Sequence, residues 1–213
     1  MTCIIDISSF DDAFFSELKD ADFKISKVGK DVKSKKLSVC GRVLLGYMLN
    51  KNYGIDSFSF RYGVKGKPYL ENEDIFFNIS HSGSFVLCSA DRCEIGCDVQ
   101  KIQQYNPAVA KRFFTEKEVS VIGDSDNQSR AFIKLWALKE SVLKKTGEGV
   151  GGGLKDYDFS DCLNLDSFEA YGYRFSCFRV KDYEIAVCSE SEKQRLEVVT
   201  KEEIQKYSDG IKN

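Results

Sequence analysis

Between Lys35 and Leu49 apolar residues recur at helical spacing, at Leu37, Cys40, Leu44, Leu45, Met48 and Leu49, which predicts an amphipathic helix. A short strand is expected near Phe58 and Phe60. The runs SFVLCSA and CEIGCDV then read as two strands around Asp91-Arg92, and two residues between alternating runs predict a hairpin. The second half repeats this order loosely. Arg130 to Thr146 places Leu135, Leu138 and Val142 on one apolar side, and Gly147 stands where a helix terminator belongs. After GEGVGGG come YGYRFSCFRV and YEIAVCS, again two strands around a short turn. Helix then hairpin, twice over, predicts an α+β fold of two similar lobes, residues 1–100 and 101–213. A site is expected between the lobes, where pockets often lie.

Composition narrows the class without naming a chemistry. The 213 residues suit one large domain or two small ones, and 42% apolar with 30% charged residues is enough for a packed core. A net charge of −2 advertises no nucleic-acid partner. The eight cysteines mostly sit inside apolar runs such as FVLCSA and EIAVCSE, where a free Cys acts as a small buried hydrophobe. The opening MTCIIDISSFDD meets acids before any long apolar run, and no stretch approaches a membrane span. The expectation is a reduced, cytoplasmic protein with no membrane partner. Cys88, Cys93 and Cys97 lie close together, but their spacing is not that of a zinc site, and His81 is the single histidine.

Four places carry candidate chemistry. In CEIGCDVQ, period two puts Cys93, Ile95, Cys97 and Val99 on a core face and Glu94, Gly96, Asp98 and Gln100 on the other. Asp98 and Gln100 are hard oxygen donors of the kind magnesium accepts, and Gly96 would let a ligand approach the backbone. The bland alternative is an exposed strand edge. In WALKESVLKK, Trp136, Glu140 and Lys144 share a helix face. Glu140 could bind metal or act as a base and Lys144 could meet phosphate, or the two could be a surface ion pair. Gly66-Lys67-Pro68 reads as a rigid turn presenting a lysine, and Asn78–Ser84 is rich in hydrogen-bond donors. Thr115 and Glu118 match a capping box, which leaves Glu118 free for a second role. GEGVGGG lacks the GK[ST] ending of a phosphate loop and follows a helix, so it reads as a terminator and connector. No GxSxG elbow supports a serine hydrolase.

The order of these signals is more specific than any one of them. GKPYL, FFNISHSGSFVLCSA, IGCDVQ, RFFTEKE and FIKLWALKESVLKKTGEG together resemble the 4′-phosphopantetheinyl transferase superfamily, in its two-lobed surfactin-synthetase type. The resemblance covers about residues 27–154 well and the remainder by length and strand pattern. It implies lobes related by pseudo-twofold symmetry. It also implies transfer of the phosphopantetheine arm of coenzyme A to a serine of an apo carrier protein, with magnesium, or manganese in its place, as cofactor.

Carried over by position, Asp98 and Glu140 resemble metal ligands, with Gln100 where many members have a third acid. Glu140 also resembles the group that orients or deprotonates the attacking serine, and Lys144 the cation on the transferring phosphate. Lys67, Pro68, Ser80 and His81 fall at coenzyme A contacts, as do Arg42 and the basic pair Lys27 and Lys30. Trp136 and Lys139 belong to the helix motif, and the region 103–125, with Phe113 and Phe114, resembles the face that meets the carrier. A monomer is implied. The competing expectations are a non-catalytic binding module of the same fold, favoured only by Gln100, and a plain nucleotide-binding protein, disfavoured by the missing phosphate loop.

Overall fold

The computed structural model describes residues 1–17, 32–149 and 153–211. The first lobe runs β1 (Thr2–Asp6), α1 (Asp12–Glu17), α2 (Val32–Tyr53), β2 (Phe60–Tyr62), β3 (Pro68–Leu70), β4 (Phe76–Ser82) and β5 (Phe85–Asp91). The second runs β6 (Ile95–Lys101), α3 (Pro107–Phe113), α4 (Glu116–Gly123), α5 (Gln128–Thr146), β7 (Ser167–Ala170), β8 (Tyr173–Val180) and β9 (Tyr183–Ser189). The chain then returns to the first lobe. β10 (Leu196–Val198) pairs in parallel with β1, and α6 (Lys201–Ile211) packs on α2, with Tyr207 edge-on to Tyr47.

The lobes share a three-strand core, β1-β5-β4 in one and β6-β9-β8 in the other, and differ in the fourth strand. The strand orders are β10-β1-β5-β4 and β6-β9-β8-β7. In each, a strand is followed by a long helix and a hairpin whose second arm lies between the first strand and the first arm. The chain is an α+β protein of two similar lobes, as expected.

Period two accounts for the layering. Along β1, Cys3 and Ile5 join the core beneath α2, whereas Ile4 faces the other way. Along β6 and β9, Ile95, Cys97, Val99, Ile185 and Val187 meet Ile4, Phe85 and Leu87 in a cluster between the sheets. A third cluster lies under α5, around Phe159, Phe175, Leu135 and Leu138. All eight cysteines are free, and burial pushes the thiols of Cys3, Cys40, Cys97, Cys177 and Cys188 up to about 12, so they stay protonated.

The expected hairpin around Asp91-Arg92 does not form. β5 is paired on one side with β1 and on the other with β4, so neither edge is open to β6, which joins β9 instead. The true tight turn is Gly83-Ser84, between β4 and β5, where Gly83 has φ 61°. The sheets therefore part between Asp91 and Ile95, and β6 belongs wholly to the second. The later hairpin is β8–β9, turning at Lys181 with φ 52°. Helix α5 ends as expected, with Gly147 in the left-handed region.

Candidate active site

Helix α5 crosses β6 at Gly96. A Cβ at Gly96 would overlap the carbonyl of Ser141 and the amide of Lys145. The glycine therefore admits a helix backbone and not a ligand, which corrects the sequence expectation. This close approach hangs Glu140 and Lys144, one turn apart, over Asp98.

The site is not the exposed edge of the bland reading. Asp98 is 1% exposed and Glu140 5%. Lys144 Nζ lies 2.6 Å from Asp98 Oδ1 and 3.0 Å from Ser80 Oγ, and Ser80 Oγ donates to the same Asp98 oxygen at 2.7 Å. Gln100 Nε2 donates to Asp98 Oδ2 at 3.0 Å, so its amide nitrogen, not its oxygen, meets the acid. Burial works against the Lys144 ammonium, but Asp98 outweighs it and raises the lysine above its ordinary value.

Glu140 differs. Lys144, one helical turn on, pairs with Asp98 instead, and among the described residues no side chain or backbone N–H donates to the Glu140 carboxylate. Burial raises its pKa, and the charge of Asp98 adds to the rise. Two neighbouring like charges, one with no donor among the described residues, form a donor set suited to a hard divalent cation. Among the described residues no cluster of three or more His, Cys, Asp or Glu converges, so the acidic set here stops at two.

The first lobe supplies the other wall. Ser80 and His81 come from β4, and partial desolvation, then the Lys144 charge, hold His81 below its ordinary imidazole value. Lys67 reaches Glu94 at 2.5 Å and donates to the carbonyl of Lys145 at 2.8 Å, tying the β3 turn to the end of α5. Pro68 opens β3 opposite Tyr62. Arg42 sits on α2 with its guanidinium 5.2 Å from the Phe60 ring. Lys27 and Lys30 lie outside the described residues.

The capping box at Thr115 is complete, with Thr115 N donating to Glu118 Oε2 at 2.9 Å and Glu118 N to Thr115 Oγ1 at 3.2 Å. Glu118 has the second role left open for it. It pairs with Lys139 at 2.7 Å, both side chains fully buried, and accepts from Phe159 N. Trp136 packs against Phe113, Phe114 and Phe132, and Phe114 is core. Sequence reasoning passed over Glu184, which lies opposite Gln100 in register, is 2% exposed and accepts from Arg130 Nε at 2.7 Å. Its signal was a lone acid at a core-facing position of YEIAVCS.

A family model described as the 4′-phosphopantetheinyl transferase superfamily matches residues 94–202, and one described as 4′-phosphopantetheinyl transferase, N-terminal, matches 17–93. The chain belongs to the 4′-phosphopantetheinyl transferase superfamily. The two matches meet where the chain passes from the first sheet to the second. Among phosphopantetheinyl transferases, the chain is similar to 4′-phosphopantetheinyl transferase Sfp of Bacillus subtilis strain 168, at 34% identity over 71% of this chain and 73% of the relative. A second Bacillus subtilis 4′-phosphopantetheinyl transferase is 36% identical over 70% and 73%. A mouse L-aminoadipate-semialdehyde dehydrogenase-phosphopantetheinyl transferase is 29% identical over 68% of this chain and 54% of the relative.

Proposed function

We propose that this phosphopantetheinyl transferase moves the 4′-phosphopantetheine arm of coenzyme A onto a serine of an apo carrier protein, working from Asp98, Glu140 and Lys144. The observation that carries this is the meeting of two buried carboxylates, one with no donor among the described residues, beside Ser80 and His81 of the other lobe. Asp98 and Glu140 are the residues that would hold magnesium, or manganese. The cation, when bound, supplies charge neutralisation at the pyrophosphate of coenzyme A.

The remaining work falls to the chain's own groups. The serine oxygen forms a bond to the β-phosphorus, the bridging bond to the nucleotide breaks, and adenosine 3′,5′-bisphosphate leaves. Glu140 orients the serine hydroxyl and receives its proton, directly or through water. Lys144 moves its charge from Asp98 onto the transferring phosphate. Gln100 holds Asp98 Oδ2 and thereby fixes the carboxylate's orientation, which is a positioning duty in place of a third acid. Lys67, Pro68, Ser80, His81, Arg42, Lys27 and Lys30 contact coenzyme A, and residues 103–125 face the carrier. The chain acts as a monomer in the cytoplasm. Among the described residues no helix is long and apolar enough to cross a membrane.

The test is to incubate the chain with coenzyme A, magnesium and each of several apo carrier domains, and to weigh the carriers. A mass gain of one phosphopantetheine, abolished by a chelator, is expected. No gain on any carrier would overturn the proposal.

A further inference from the structure

Strands β4 and β6 are edge strands of different sheets, yet they run side by side in the same direction. Edge strands in this position ordinarily join backbone to backbone. Here no backbone ladder links them, and the sheets stay separate. The N–H groups on the side of β6 away from β9 are satisfied by side chains of β4. Cys97 N donates to Asn78 Oδ1 at 3.0 Å, Val99 N to Ser80 Oγ at 3.4 Å and Lys101 N to Ser82 Oγ at 3.0 Å. Every rung spans the same 19 residues, so three acceptors at alternate positions of one strand meet three donors at alternate positions of the other.

We infer that Asn78 and Ser82 are positioning residues for the transfer reaction, the outer rungs of a side-chain ladder that sets the register of one lobe against the other. Asp98 stands between two of the anchored amides. Ser80, the middle rung, also donates to Asp98 Oδ1 and meets Lys144. The apolar cluster between the sheets attracts them without fixing direction, since the hydrophobic effect is non-directional. The ladder adds directional bonds along this seam, beside those from Cys97 Sγ to Asn78 O at 3.3 Å and from Ser80 Oγ to Asp98. A slip of one residue would carry Ser80 and His81 away from Asp98 and Lys144.

This inference rests on the function proposed above, and the experiment separates the two. The full chain carrying Asn78→Ala, Ser82→Ala or Ser82→Thr is assayed with coenzyme A, magnesium and an apo carrier, well below each melting temperature. Magnesium affinity is titrated in parallel by calorimetry. Loss of a group that orients a ligand ordinarily costs about 10–100-fold, so Asn78→Ala should lower kcat and magnesium affinity by that order while KM for coenzyme A moves less. Ser82→Ala should fall less far, and Ser82→Thr, which keeps the hydroxyl, should recover the loss. Folded Asn78→Ala and Ser82→Ala proteins with wild-type kcat and magnesium affinity would overturn the ladder. If Asn78→Ala does not fold, the Ser82 pair decides. If the wild-type chain transfers nothing, the functional reading fails, and the magnesium titration still judges the ladder by the same outcomes.

Discussion

Helices α2 and α5 occupy equivalent places in the two lobes, yet they bury different things. The buried face of α2 is built from Leu37, Cys40, Val43, Leu44, Leu45, Met48 and Leu49, with no charge among its buried residues. The buried face of α5 includes Lys134, Lys139, Lys145 and Glu140. A buried charge is costly unless paired. Each lysine meets that demand: Lys134 donates to Leu165 O, Lys139 pairs with Glu118 and the carbonyls of Leu154 and Tyr157, and Lys145 pairs with Glu190. Glu140 has no such partner among the described residues, and its carboxylate reaches solvent instead. On equivalent helices, the first lobe buries no charge, and the second keeps a carboxylate whose ionisation burial and Asp98 oppose, where a cation or a proton would relieve it.

Glu140→Gln should break the contrast most sharply. It should lower carrier modification by on the order of 10²-fold or more, because a cation at such a site supplies several kcal/mol of charge stabilisation. Thermal melting of the same variant should hold or improve, since a carboxylate whose ionisation is opposed by burial and by Asp98 is gone. The sign also shows in pH. With its folded pKa raised, ionised Glu140 costs the fold stability as pH climbs from its ordinary 4.5 through the raised value. Melts of wild type and Glu140→Gln in chelator should therefore diverge in favour of the variant across that interval. A variant that melts lower at every pH would show that Glu140 has a stabilising partner.

Lys139→Met should do the opposite, costing about 3–5 kcal/mol in urea unfolding because Glu118 is left buried without its cation. Leu44→Ala, at the equivalent depth of α2, should cost about 2–5 kcal/mol while kcat of the folded protein is unchanged. An altered kcat in Leu44→Ala would couple the first core to chemistry. The smallest effect belongs to the surface. Burial alone would raise Asp6, but the Lys181 hydrogen bond and the Ser8 amide prevail and bring it to about 2, from an ordinary 3.8. This link between lobes is present above pH 3.8 and lost as pH falls through about 2. Asp6→Asn should then lose about 1 kcal/mol at neutral pH after solvent screening, and nothing in strong acid, by pH-dependent denaturation.

The periodic elements were legible in the sequence. The apolar stripe of α2, the stop at Gly147 and the β8–β9 hairpin need only local spacing. The pairing of β6 was not legible, because the alternation of CEIGCDV states which residues face a core and not which strand fills the edge. That was decided by β5 having both edges occupied. Gly96 was noticed and misread, since a missing side chain admits a helix as readily as a ligand. Asp98, Glu140 and Lys144 were singled out through motif order; pattern alone allowed surface carboxylates. What no local pattern disclosed is that Lys144 turns to Asp98 while Glu140 has no donor among the described residues. The alternation of Asn78, Ser80 and Ser82 was visible, but its meaning depends on a strand that follows 19 residues later.

The central claim is that Asp98 and Glu140 together form one cation site. It is tested most directly by titrating Mn2+ into the full chain and following the free ion by electron paramagnetic resonance, with wild type beside Asp98→Asn, Glu140→Gln and the double variant. The account predicts a site in wild type that each single substitution weakens and the double variant lacks. Equal Mn2+ binding by the double variant and wild type would contradict it.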